Sequence, residues 1–216
     1  MSGRGLGWSA WRRMTWKYCA AVVQFVAPGP ALSTALEAIA AEPDARATSS
    51  GGGAALALKS RRGSETRNIL LDFLFSEDNR LLHLEDDVVF RELGHLPQAI
   101  AELPADWDIL YLGANLICWN NGEPEPERYS EHLFRVRAAW TTHAVAYHKR
   151  CIRKVLEGQP SFDALMFDNW LSTRLPELNA FCVAPMVAWQ RPRYSQIWKR
   201  EDDYSEIFRM SEARLR

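Results

Sequence analysis

Residues 80–90 read RLLHLEDDVVF, and this stretch decides the fold. Its leucines predict a short buried strand at 80–84, and three acids follow the strand directly: Glu85, Asp86 and Asp87. Val88 to Phe90 then resume the apolar pattern. Because apolar residues flank the acids on both sides, we expect the acidic run to lie near the core.

Three adjacent carboxylates repel one another, and this repulsion raises their pKa values unless a cation compensates them. Oxygen ligands suit a hard divalent cation such as Mg²⁺ or Mn²⁺. Alternation along a strand would place Glu85 and Asp87 on one face and Asp86 on the other, so a metal site requires a break in the strand. The alternative interpretation is an acidic strand end or helix N-cap that faces water.

Strand and helix patterns alternate around this stretch, which is typical of an α/β fold with a mixed sheet flanked by helices. Upstream, the pattern predicts a strand at 18–27, a helix at 31–41, a flexible loop at 44–53 and a helix at 54–75. Downstream, it predicts strands at 108–112, 133–139, 143–147 and 180–184, helices at 91–103, 149–157 and 163–174, and a surface loop at 115–132. The tail from Tyr194, and residues 198–216 in particular, reads as a charged, exposed helix.

The chain has 216 residues, which favours one domain over 1–216 with a divergent N-terminal part at 1–50. Its formal net charge is −1, so it lacks the global basic field of a nucleic-acid binder, and no nucleic-acid partner is expected. Nine tryptophans suit stacking on sugar rings but also ordinary core packing, and Trp140, Trp170 and Trp189 are the candidates for stacking.

Four scattered cysteines form no CxxC pair, which favours reduced, buried thiols in a cytoplasmic protein over a zinc or redox site. The apolar stretch after Lys17 weakly imitates a signal peptide, but Gln24 interrupts it and no clear cleavage site follows. No apolar run reaches the length of a membrane span. The sequence therefore predicts a cytoplasmic protein.

An ordered set of motifs resembles the family 25 glycosyltransferases, which include bacterial lipooligosaccharide galactosyltransferases and collagen galactosyltransferases. The motifs are GGGAALALKS (51–60), LLHLEDDVVF (81–90), LPADWDILYLGA (103–114), TTHAVAYHKRCIRKVL (141–156), DALMFDNW (163–170) and VAWQRPRYSQI (187–197). The resemblance covers roughly residues 51–197. Each motif is weak alone, and the specificity lies in their order and spacing.

The resemblance implies a GT-A-type fold, a UDP-sugar donor and a Mn²⁺ or Mg²⁺ ion. It implies inverting transfer of a hexose, galactose or glucose, to a glycan or to a lipid-linked acceptor, which would bring the protein into peripheral contact with a membrane. Asp87 is then the leading metal and diphosphate ligand, with Glu85 as a second metal ligand and Asp86 beside them.

The resemblance also assigns a general base, which takes the proton of the acceptor hydroxyl in an inverting transfer. Asp168 is the first candidate and Asp163 the second, although Asp163 also suits a helix N-cap. His143 is a candidate contact for phosphate or metal, with a structural histidine as the alternative. Gln190 and Ser195 match the closing motif, with a structural role favoured.

The N-terminus departs from the family pattern. Family members begin with a strand that carries an Asn-Leu pair, whereas WSAWRRM (8–14) looks like the residues just after that strand. Arg12 and Arg13 remain candidate phosphate contacts. This departure favours the alternative of a catalytically inactive relative that binds a nucleotide or glycan. A metal-dependent nuclease or phosphohydrolase is a third interpretation, but it would need further metal ligands and a basic track.

Overall fold

The computed structural model describes residues 20–25, 54–59, 65–85, 87–117, 122, 124–160, 166–195 and 200–216. For 20–25, 54–59, 65 and 195 it describes the backbone alone.

The described residues form twelve strands and five α-helices. The strands are β1 (Ala20–Phe25), β2 (Ala54–Lys59), β3 (Arg80–Leu84), β4 (Val88–Phe90), β5 (Ile109–Tyr111), β6 (Glu127–Arg128), β7 (Leu133–Arg135), β8 (Ala144–His148), β9 (Ala180–Val183), β10 (Ala188–Gln190), β11 (Arg193–Ser195) and β12 (Arg200–Asp202). The helices are α1 (Glu65–Leu74), α2 (Leu96–Ala101), α3 (Lys149–Leu156), α4 (Phe167–Arg174) and α5 (Ser205–Ala213), and a 3-10 turn spans Leu175–Glu177.

Eight of these strands form one mixed sheet in the order β2-β1-β3-β8-β5-β9-β7-β6. Strands β5 and β9 pair in parallel, and the other described pairs of the sheet are antiparallel. Strands β3, β5 and β9 therefore point in one direction and β8 in the other. As a result, the carboxyl ends of β3, β5 and β9 and the start of β8 lie at the same edge of the sheet.

The central strands are apolar on both faces because both faces are covered. In β5, Ile109 and Tyr111 pack into one cluster of buried side chains, while Leu110 packs into the other. The first cluster lies under α1, α3, α4 and α5, and the second contains Leu96 of α2. Strands buried on both faces lack the apolar–polar alternation of a half-exposed sheet, as their sequences indicate.

The structure confirms the predicted mixed α/β organisation, and the strands and helices predicted between residues 80 and 184 lie close to their expected places. The predicted surface loop at 115–132 contains the short strand β6. It corrects the predicted helix at 54–75, because residues 54–59 pair with β1 as a strand and the helix begins only at Glu65. AALALK alternates with period two, which suits an antiparallel strand. The predicted helix at 31–41 and loop at 44–53 lie outside the described residues.

The C-terminal tail is also corrected. Strands β11 and β12 form an antiparallel ribbon before the helix begins at Ser205. Helix α5 is not simply exposed, since Phe208 and Ser211 are fully buried. None of the helices among the described residues has the length and apolar character that crossing a membrane requires.

Candidate functional site

The acidic run lies where strand β3 stops. The strand ends at Leu84, and a turn follows in which the Val88 N–H donates to the Glu85 carbonyl at 3.3 Å. Strand β4 then leaves to pair with β10 outside the main sheet. Strand β3 therefore ends before Glu85 and β4 begins only at Val88, so Glu85 and Asp87 lie between two strands. Asp86 lies outside the described residues.

Glu85 is held beside the start of β8. Its backbone N–H donates to the His143 carbonyl at 2.8 Å, and the Thr142 hydroxyl donates to its Oε1 at 2.7 Å. Burial, and then the nearby charge of Asp87, raise the pKa of Glu85 to about 8, although the Thr142 hydrogen bond opposes this rise. A carboxyl group in this environment resists ionisation unless a cation comes close.

Asp87 is 4% exposed and already has a cation beside it. Arg193 Nε lies 3.0 Å from Asp87 Oδ2, and Gln190 Nε2 donates to the same oxygen at 3.2 Å. The backbone N–H of Arg191 donates to the Asp87 carbonyl at 2.9 Å. The segment that follows β10 thus contacts the acidic turn, and its Arg193 places a positive charge beside the Asp87 carboxylate.

Asp168 belongs to a distant part of the chain. It lies in the first turn of α4, where the Asn169 N–H donates to its Oδ1 at 2.8 Å. Burial raises the pKa of Asp168, and its charge in turn raises the pKa of Glu85. The charges of Asp87 and Asp168 therefore both disfavour ionisation of Glu85, and these three acids are the candidate site group.

His143 lies beside this group, but its ring points into the core. The side chain is fully buried, with its Nε2 3.2 Å from the Ala188 carbonyl and its ring 5.1 Å from that of Phe208. Burial lowers the pKa of His143 to about 4, so the ring is neutral and Nε2 carries the proton donated to the carbonyl. These contacts favour the structural alternative for His143.

The carboxylate pair suits a hard divalent cation. Glu85 and Asp87 supply carboxyl oxygens directly after the end of a strand, and such oxygens are the ligands that a hard divalent cation prefers. These two carboxylates are the groups that would hold Mn²⁺ or Mg²⁺.

A second group of potential ligands lies elsewhere. One ligand atom from each of Glu102, Glu131 and His132 falls within 4.8 Å of the others. His132 Nδ1 lies 2.7 Å from Glu102 Oε1, and the His132 N–H donates to Glu102 Oε2 at 2.9 Å. These bonds, with one from the Ser130 hydroxyl to Glu102, join the end of α2 to the segment before β7.

The tryptophans with described contacts are engaged in packing. Trp170 Nε1 donates to the Val155 carbonyl at 2.7 Å, and the Trp189 ring stacks on Phe208 with 5.7 Å between centroids. The buried thiols of Cys151 and Cys182 are free, and burial raises the pKa of both. Predicted site residues Arg12, Arg13 and Asp163 lie outside the described residues, as does the side chain of Ser195.

Comparison of the chain with protein-family models, curated proteins and solved structures gave no match. The assignment of the site therefore depends on its own geometry and chemistry.

Sequence reasoning missed two residues of the site, Thr142 and Arg193. Thr142 precedes β8, and the antiparallel pairing of β8 with β3 brings it beside Glu85. Its place in the Thr-Thr-His-Ala segment was the available signal. Arg193 lies within the closing motif but at a position that the motif leaves open, so the pattern could not single it out.

Proposed function

We propose that this protein is a metal-dependent glycosyltransferase that moves a hexose from a UDP-sugar to a glycan or lipid-linked acceptor with inversion. The observation that carries the proposal is the pair of acids directly after the carboxyl end of β3, Glu85 and Asp87, with the charge of Asp168 raising the pKa of Glu85. Ligands of open α/β sheets bind outside the carboxyl ends of the strands, which is where this group lies.

The three carboxylates have separate roles in this proposal. Glu85 and Asp87 would hold the cation, and Thr142 fixes the Glu85 carboxyl by donating to its Oε1 at 2.7 Å. A divalent cation bound there would supply positive charge that stabilises a departing nucleoside diphosphate.

Asp168 accepts the proton of the acceptor hydroxyl as that oxygen attacks the anomeric carbon. Burial raises the pKa of Asp168 and so makes its carboxylate a stronger base than an exposed aspartate. The Asn169 N–H fixes one oxygen of this carboxylate at 2.8 Å and holds its orientation.

The arrangement of the motifs supports the resemblance to family 25 and a GT-A-type fold. The acidic run follows β3, the Tyr-Leu-Gly segment ends β5, and the Thr-Thr-His-Ala segment begins β8. These motifs are far apart in sequence but adjacent at one edge of the sheet, and the closing segment contacts Asp87. A shared site explains why such motifs would occur together.

The test is a donor screen. Binding of UDP-, GDP- and CMP-sugars is measured by thermal shift with Mn²⁺ and with EDTA, and UDP release is then measured with the sugars that bind. We expect a UDP-hexose to raise the melting temperature only with Mn²⁺, and UDP release to require the metal. Metal-dependent UDP binding without release from any donor–acceptor pair would instead support the inactive relative. Absence of UDP binding with Mn²⁺ would contradict both.

A further inference from the structure

The partly exposed side chain of Arg193 pairs with the buried carboxylate of Asp87. Its side chain is 40% exposed, whereas that of Asp87 is 6% exposed, and the Arg193 Nε lies 3.0 Å from Asp87 Oδ2. Arg193 begins the β11–β12 ribbon, which is separate from the main sheet. The guanidinium therefore lies between the buried Asp87 carboxylate and solvent, on a ribbon that is not part of the main sheet.

The position of this guanidinium conflicts with a bound cation. The guanidinium pairs with Asp87, and its charge also lowers the pKa of Glu85, the second proposed metal ligand. A divalent ion on the same carboxylates would repel the guanidinium, because like charges at contact distance in a partly buried site are weakly screened.

We propose that Arg193 is an exchangeable cation of the donor site: it neutralises Asp87 before the metal binds and then turns to bind the donor diphosphate. This inference rests on the proposed glycosyltransferase function. It assigns Arg193 as a binding residue for a nucleoside diphosphate.

The chemistry of the guanidinium fits both positions. Its planar array of N–H donors pairs with a carboxylate and with phosphate oxygens alike, often through two hydrogen bonds. The short link to Arg191, whose N–H donates to the Asp87 carbonyl at 2.9 Å, keeps Arg193 near the site when its side chain moves. Under this proposal, a diphosphate bound with a cation on Asp87 must therefore face the Arg193 side chain.

The test measures two affinities by isothermal titration calorimetry in Arg193→Gln. Because the competing cation is removed, we expect Mn²⁺ alone to bind about threefold to tenfold more tightly than to the wild type. Because a charge-assisted contact is lost, we expect UDP at saturating Mn²⁺ to bind about tenfold or more weakly. The opposite signs of these changes are the signature of exchange.

Two further variants control the experiment. Arg200→Gln removes one positive charge from the same ribbon, where Arg200 pairs with Asp202 at 2.8 Å, and should leave both affinities within about twofold of the wild type. Arg193→Lys keeps the charge but not the fork of donors, so its Mn²⁺ affinity should stay near the wild-type value while UDP binding weakens.

UDP affinity at saturating Mn²⁺ that is unchanged in folded Arg193→Gln and Arg193→Lys would overturn the inference, since it would show that Arg193 stays on Asp87. Failure of the wild type itself to bind UDP with Mn²⁺ would overturn the proposed function and the inference with it. The two failures are distinguishable because only the second appears in the unmutated protein.

Discussion

Glu85 makes the stability of the metal-free protein depend on pH. Its pKa is about 4.5 in an unfolded chain and about 8 in the fold, because burial and Asp87 disfavour its charge. Between these values the folded state holds a proton that the unfolded state has lost, so the free energy of unfolding falls as pH rises. Full stability from this group is present below about pH 4.5 and is lost through about pH 8.

The substitution Glu85→Gln isolates this contribution. The amide keeps the shape of the side chain and cannot ionise, so the variant should be more stable than the wild type at pH 8 by about 1–3 kcal/mol. At pH 4.5 the two proteins should be nearly equal in stability. The measurement is urea unfolding at both pH values in EDTA, and equal stability at pH 8 would contradict the account. Burial also lowers the pKa values of His83 and His143. Because both proteins contain these histidines, their effect on the pH dependence of the unfolding free energy cancels in the comparison.

Asp168 is expected to act on the chemical step and not on donor binding. Asp168→Asn should lower kcat by about 100-fold to 10,000-fold, which is the usual contribution of a general base. Its affinity for UDP and Mn²⁺ should be unchanged. In the wild type, kcat should rise as pH increases through the pKa of Asp168, which burial places above the ordinary value.

A control for Asp168→Asn is Glu177→Gln, which removes an exposed carboxylate just after α4 that pairs with Arg174 at 2.8 Å. This control should keep wild-type kcat. If Asp168→Asn also kept it, Asp168 would not be the base, and Asp163 would become the candidate to test.

At the scale of elements, the site depends on a close approach between β5 and β10. A Cβ built on Gly113, just after β5, would lie 1.7 Å from the Ala188 carbonyl oxygen and 3.4 Å from His143 Nε2. Only glycine permits this contact, because the clashing atom belongs to the backbone of a paired strand. The Tyr-Leu-Gly segment therefore fixes the distance between the sheet and the segment that contacts Asp87.

Gly113→Ala should destabilise the protein by about 3 kcal/mol or more, or prevent folding. Gly94→Ala is the matched control, because a Cβ built there meets nothing within 4 Å, and it should change stability by less than about 1 kcal/mol. Thermal unfolding followed by circular dichroism measures both changes. Equal melting temperatures for the two variants would show that the backbone contact yields readily.

At the scale of the whole molecule, the C-terminal helix α5 packs against the hydrophobic core next to the site. Phe208 is fully buried and contacts the rings of His143 and Trp189. The residues next to these two rings, Thr142 and Gln190, donate hydrogen bonds to Glu85 and Asp87 respectively. The Leu116 N–H donates to the Ser211 hydroxyl at 2.9 Å, which ties the helix to the segment after β5. The tail thus belongs to the structure that supports the site.

Phe208→Ala should cost about 3–5 kcal/mol of unfolding free energy, as truncations of buried aromatic side chains do. Met210→Ala, on the same helix, removes a side chain that is 49% exposed and should cost less than about 1 kcal/mol. Chemical denaturation of both variants tests this difference. If the Phe208→Ala variant were as stable as the wild type, the helix would not contribute to the core, and the tail would be peripheral as the sequence predicted.

The central strands and the acidic turn could be predicted from the sequence because their signals are local. The leucines before Glu85 and the apolar run at 109–112 each predict a buried strand, and neither prediction needs information from another part of the chain. Strand β2 could not be separated from a helix, since AALALK suits both until its pairing with β1 is known. The roles of Thr142 and Arg193 depend on pairing between distant segments, which no local pattern records.

The central claim is that Asp87 holds a cation needed for transfer, and Asp87→Asn tests it most directly. Mn²⁺-dependent UDP release from the UDP-hexose that the donor screen selects is measured for the wild type, Asp87→Asn and Glu131→Gln. Glu131→Gln is the control because it removes a carboxylate from the other group of potential ligands. We predict a loss of about 100-fold or more in Asp87→Asn and a change of less than about twofold in Glu131→Gln. Full Mn²⁺-dependent release by a folded Asp87→Asn variant would contradict the account.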